Sequence, residues 1–337
     1  MSRQINPSSA GLESLPSEVL LEVLSEIPYD CSLRGTLRLV NQRFKHATDS
    51  FEHCIAGRML TNQFAWAPRQ FPGLLGVDVR PKNPGWAELA TVFHRIAVLS
   101  NIKSRCKIIR EGRGEHSAWT TGRAITFHHT GLLLLYRLAD CKSHKAKMEL
   151  IRSLPSSSLA VILFSLMVSV HLLRAIGPQL SPCWSDGPLT EEARSDMELA
   201  SEELLLRDGP DFLLGLLMHD MKSIKSASPL SFSLLPLTKP SALRTEITTM
   251  DSRQIHNPSD PPPEITLIAS LRQAFAAAVR CEMRYNLVHM WYVLDEQCSA
   301  LSDGREDIVT AAIERVVNGE LLVIRCQRCR LLQVHGL

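Results

Sequence analysis

The 337-residue sequence predicts a mainly α protein. Apolar residues recur at steps of three and four through nearly every long segment, which is the spacing of one face of a helix. Strand signals are sparse, and no period of about 20 to 50 residues marks a repeat array. The expected architecture is an N-terminal three-helix unit followed by an irregular all-helical region without repeats. Its parts are a first domain over 12–56, a helical region over 84–225, a disordered linker over 226–263 and C-terminal helices over 264–320.

The first helix opens at Leu15-Pro16, where proline suits the first helical position because its missing N–H is not needed there. Glu18 favours the positive end of the helix. Val19, Leu20, Val23, Leu24 and Ile27 form one stripe, and Pro28 stops it. A turn through Tyr29 to Ser32 leads to a short helix near Leu33 to Arg38. A third helix is expected to carry Val40, Phe44, Ala47, Phe51 and Ile55, and Phe51 to Phe64 continues as helix.

Residues 65–83 hold several prolines and glycines and read as a loop with little regular structure. A helix starts at Pro84 or Gly85 and carries Trp86, Leu89, Phe93, Ile96 and Leu99, with a break at Gly112-Arg113-Gly114. Helices follow from Ala124 to about Cys141, from His144 to Leu154 and from 156 to 176. The last contains the most apolar run, Leu159 to Val170. At 12 residues it is shorter than the roughly 20 a membrane span needs, so it reads as a buried core helix. Thr190 caps a helix to about Asp208, with Glu191 and Glu192 in its first turn. Gly209-Pro210 opens another. Residues 226–263 are rich in Pro, Ser and Thr and lose the helical period, which predicts disorder. From Glu264 to Asp303 there is no Gly or Pro, and an apolar stripe from Ile268 to Leu294 predicts one long helix or two in line. A final helix runs from about Arg305 to Val317, followed by a short strand LLVIR and a basic tail.

The stretch Leu15 to Phe44 resembles the F-box. The matches are Leu15-Pro16, the acidic Glu18, the helix Leu20 to Leu24, and the run Arg38-Leu39-Val40-Asn41-Gln42-Arg43-Phe44. The connection from Ile27 to Val40 is about two residues longer than the family pattern, and the resemblance covers some 40 of the 337 residues. It implies a docking site for a Skp-family adaptor, and through it a cullin-RING ubiquitin ligase. The implied contact residues are Leu15, Pro16, Glu18, Leu20, Val23, Leu24, Leu39, Val40 and Phe44. Independently of the family, a unit of about 40 residues rarely buries enough surface to stand alone, so its apolar groups need cover from its own chain or from a partner.

The remaining features point away from chemistry. The 37 basic and 35 acidic residues nearly cancel, so no basic stripe suggests nucleic-acid binding. The N-terminus lacks an apolar signal core. The nine cysteines have no framework spacing and read as reduced thiols of a cytoplasmic or nuclear protein. Cys326-x-x-Cys329 with His335 is half a zinc site without its second pair. His128-His129 point about 100° apart on a helix, too far to share a ligand easily; His171 and His219 read as satisfied partners of polar groups. Arg110 to Gly114 lacks a phosphate-cradle spacing, no nucleophile elbow occurs, and Lys142, His144, Lys145 and Lys147 read as a solvated helix face. No catalytic residue, metal or cofactor is expected. The implied function is the substrate-recognition adaptor of a Skp–cullin–F-box ligase, whose helical region binds a target protein. The alternatives are an F-box scaffold without degradation and an unrecognised helical enzyme.

Overall fold

The computed structural model describes residues 15–75, 83–113, 122–176, 191–218, 266–297 and 306–318. All regular structure among them is helical, as the periodicity predicts. The expected disordered linker, the terminal strand and the Cys326/Cys329/His335 cluster lie outside the described residues. The chain divides into two units, Met1–Ala97 and Val98–Leu337. The expected boundaries therefore shift: residues 84–97 belong with the first unit, not with the helical region behind it.

In the first unit the helices are α1 (Ser17–Glu26), α2 (Leu33–Val40), α3 (Gln42–Ser50), α4 (Glu52–Gln63), the short α5 (Ala67–Gln70) and α6 (Pro72–Leu75), and the start of α7 (Trp86–Arg113). The single third helix expected through Val40, Phe44 and Phe51 is broken twice. Asn41 is extended (φ −166°, ψ 175°) and its side chain accepts the Phe44 N–H, so it caps α3. Asparagine is favoured there because its short side chain replaces a missing intrahelical partner. Phe51 (φ −114°, ψ 26°) makes the second break. The expected loop at 65–83 also contains the two one-turn helices α5 and α6.

The core of this unit is built by α1 against α4, with α2 and α3 alongside. Leu20, Leu24, Leu33, Leu37, Phe44, Ile55 and Met59 are buried in it. Gln63 closes the α1 end: its amide nitrogen donates to the Ile27 carbonyl at 2.9 Å, and its oxygen accepts the Tyr29 N–H at 3.0 Å. The start of α7 completes the core. The Tyr29 ring stacks near Trp86 at 6.3 Å and meets Phe93 edge-on at 5.4 Å. The Trp86 indole N–H donates to the Thr48 carbonyl at 3.2 Å, and its backbone N–H donates to Glu52 at 3.0 Å.

The second unit gathers around α10 (Ser156–Ile176). Beside it lie α8 (Gly122–Ala139), α9 (His144–Ser153), α11 (Glu191–Asp208), α12 (Pro210–Met218), α13 (Leu267–Val279), α14 (Asn286–Gln297) and α15 (Glu306–Asn318). Its segment Ser156–Arg174 has a mean hydropathy of 2.0 over 19 residues, long and apolar enough to cross a membrane, but 83% of that window is buried inside the protein. This is the expected core helix. Phe164 is its centre, edge-on to Phe127 at 5.8 Å and to Trp291 at 5.3 Å. The α8–α10 approach is close because Gly131 has no side chain: a Cβ there would stand 2.3 Å from the Ser165 Cβ. Three serines of α10 are buried and bonded, Ser165 to the His128 carbonyl (3.3 Å), Ser169 to the Ser165 carbonyl (2.8 Å) and Ser158 to the Val316 carbonyl (2.7 Å), whereas the buried Ser157 hydroxyl has no partner among the described residues.

The long C-terminal helix expected from Glu264 to Asp303 is two helices. Arg280 ends α13 in the left-handed region (φ 53°, ψ 48°), with its own N–H and that of Cys281 turning back to α13 carbonyls. A short 3₁₀ turn, Met283–Tyr285, then leads into α14. Sequence spacing does not register such a stop when arginine occupies the position where glycine is usual.

Helix ends in this unit are closed by side chains from other helices. Buried Glu203 of α11 accepts the Leu267 and Ile268 N–H groups at 3.1 and 2.9 Å, capping α13. The Arg123 guanidinium donates to the Leu294 and Asp295 carbonyls of α14 at 3.1 and 3.0 Å. Arg137 does the same for Val317 of α15. Lys147 donates to the Arg207 carbonyl of α11. Lys147 is buried, not part of a solvated face, and burial lowers its pKa.

Three outcomes follow from this packing. Glu203→Ala leaves two buried N–H groups without an acceptor, and a buried donor so orphaned costs about 1–3 kcal/mol; urea unfolding should show a loss of about 2–4 kcal/mol, with Glu203→Gln losing less. Arg280→Gly removes the Cβ penalty of the left-handed backbone and should raise stability by about 1 kcal/mol, read as a higher unfolding midpoint. Burial, with the neighbouring charge of the second ring, lowers the His128 pKa to about 3, and burial with Lys103 lowers that of His129 to about 4. An unfolded histidine titrates near 6.5, so the unfolded chain binds more protons below that pH. Stability should therefore be full above about pH 6.5 and fall, by up to about 1.4 kcal/mol per pH unit for His128, as pH drops toward 3. The midpoint of denaturant unfolding at pH 7 and pH 5 checks this, and His128→Gln should flatten the slope.

Candidate functional site

Of the nine residues expected at the adaptor contact, the structure separates two groups. Leu20, Leu24 and Phe44 face the core of their own unit, and Leu24 is 0% exposed. They offer no surface to a partner. This corrects the expectation for these three: they are buried in their own unit, where α1 and α3 pack on α4. Val23, Leu39 and Val40 face outward, with Leu39 86% and Val40 56% exposed. Pro16 and Glu18 are exposed, and Leu15 is partly covered. Arg43 donates to the Leu15 carbonyl, tying the chain entering α1 to α3.

Two apolar faces of α1 account for this division. Leu20, Leu21 and Leu24 turn inward, whereas Val19 and Val23 are more than a third exposed. Val19 and Val23 are four residues apart and so stand on one side of the helix. On α2, Leu33 and Leu37 are buried, leaving Leu39 and Val40 at the end of the helix in solvent. The apolar stripe seen in the sequence is thus a core face and a solvent face laid side by side. Val19 belongs with the exposed set, and its place beside Val23 at a helical step is the sequence signal for it. Around this surface Arg34 and Arg38 of α2 reach Asp49 of α3 at 3.8 and 3.4 Å. These pairs are exposed and contribute little to stability.

Among the described residues, those considered for chemistry are not brought together into one site. His128 and His129 are held neutral by their surroundings, and the His128 Nε2 lies 3.4 Å from the Ser169 hydroxyl. Burial pushes the Cys106 thiol up to about 12, the opposite of what a thiolate nucleophile needs. His171 bonds the Met167 carbonyl through Nδ1 at 2.8 Å. His219 and the Arg110–Gly114 side chains lie outside what is described. Among the described residues no group of three or more His, Cys, Asp or Glu could hold a metal ion.

Comparison of the chain with protein-family models, with curated proteins and with solved structures finds no match in any of the three.

Proposed function

We propose that the chain is the target-binding adaptor of a Skp–cullin–F-box ubiquitin ligase, in which the first unit docks the Skp-family protein and the second holds the target. The reading rests on the F-box resemblance of Leu15 to Phe44. The observation that carries it is the apolar surface the same stretch leaves in solvent: Val19, Val23, Leu39 and Val40. Covering a Val or Leu side chain is worth roughly 1.5–3 kcal/mol. Four such groups stand in solvent on α1 and α2, and each gains from cover by a partner. Leu15, Pro16 and Glu18 border it. Leu20, Leu24 and Phe44 hold it in place from behind. Such an adaptor performs no bond chemistry; it raises the local concentration of the target at the ligase.

The surface variant Leu39→Asp with Val40→Asp tests this. Both side chains are exposed, so the melting temperature should stay within about 2 °C of wild type, since surface changes lie within about 0.5 kcal/mol. Affinity for a purified Skp-family protein should drop at least about 100-fold, from lost apolar cover and a charge placed in the interface. Leu20→Asp, by contrast, should lower the melting temperature. Wild-type protein that ignores the Skp-family protein in calorimetry, or a double variant that binds it unimpaired, sinks the proposal. In cells the same double variant separates a ligase from a scaffold. A ligase target should gain half-life when the contact is lost, while partners of a scaffold should not.

A further inference from the structure

We draw no further inference here: the strongest candidate, the cleft of the second unit between α10, α11, α13 and the turn into α14, carries nothing, because Arg174, Arg272 and Arg284 in its lining are each paired with a carboxylate and nothing in the structure shows what occupies its apolar wall.

Discussion

A helix that ends inside a protein leaves backbone N–H or carbonyl groups with no partner in its own turn, and this chain meets that constraint by reaching across from other helices. Gln63 closes α1, Glu203 opens α13, Arg123 closes α14, and Lys147 and Arg137 close α11 and α15. The signs agree with the helix dipole: a carboxylate sits at an N-terminus and cations sit at C-termini. Each bond spans a long stretch of chain, so each fixes one helix end against another rather than extending a helix locally. The arrangement lets short helices such as α1, α13 and α15, of ten to thirteen residues, hold their ends inside the fold, although such lengths are marginal alone in water.

How much of this was legible in the sequence depends on the kind of signal. The helical class, the start of α7 and the burial of α10 follow from apolar steps, because a 3.6-residue period has one structural reading over a long segment. The breaks were harder. Asn41 signals its own cap, but the apolar step from Val40 to Phe44 runs straight across it. Arg280 gives no local signal, since arginine is an ordinary helix residue and the left-handed turn is imposed by packing. Lys147 misled for a related reason: three basic neighbours suggest a wet face, while its Nζ is spent on a carbonyl of α11 that is 60 residues distant in the chain.

The proposed adaptor surface shows a subtler limit. Spacing identifies which residues of α1 are apolar and share a side of the helix, but it does not say what lies opposite them. Leu20 and Val19 are adjacent letters in one stripe, yet α4 covers the first and leaves the second in solvent. That distinction comes from packing against α4, which enters the sequence tens of residues later. The motif therefore locates the proposed docking surface to within a helix, and the tertiary cover selects which of its residues stay in solvent.

The position of α10 in the chain has a consequence for how the protein is made. Its apolar segment is complete at Ile176, when α8 is already available to shield part of it, and α11 and α12 add cover once the chain reaches Met218. The helices that cover Phe164 and its neighbours from the other side, α13 and α14, begin at Leu267 and Asn286. At a synthesis rate of about 5–20 residues per second, the gap from residue 176 to residue 267 lasts about 5–20 seconds. During that interval a helix with the length and hydropathy of a membrane span stands half-clothed at the ribosome. The nascent chain therefore passes through a period in which hydrophobic-segment receptors and chaperones compete with its own C-terminal third.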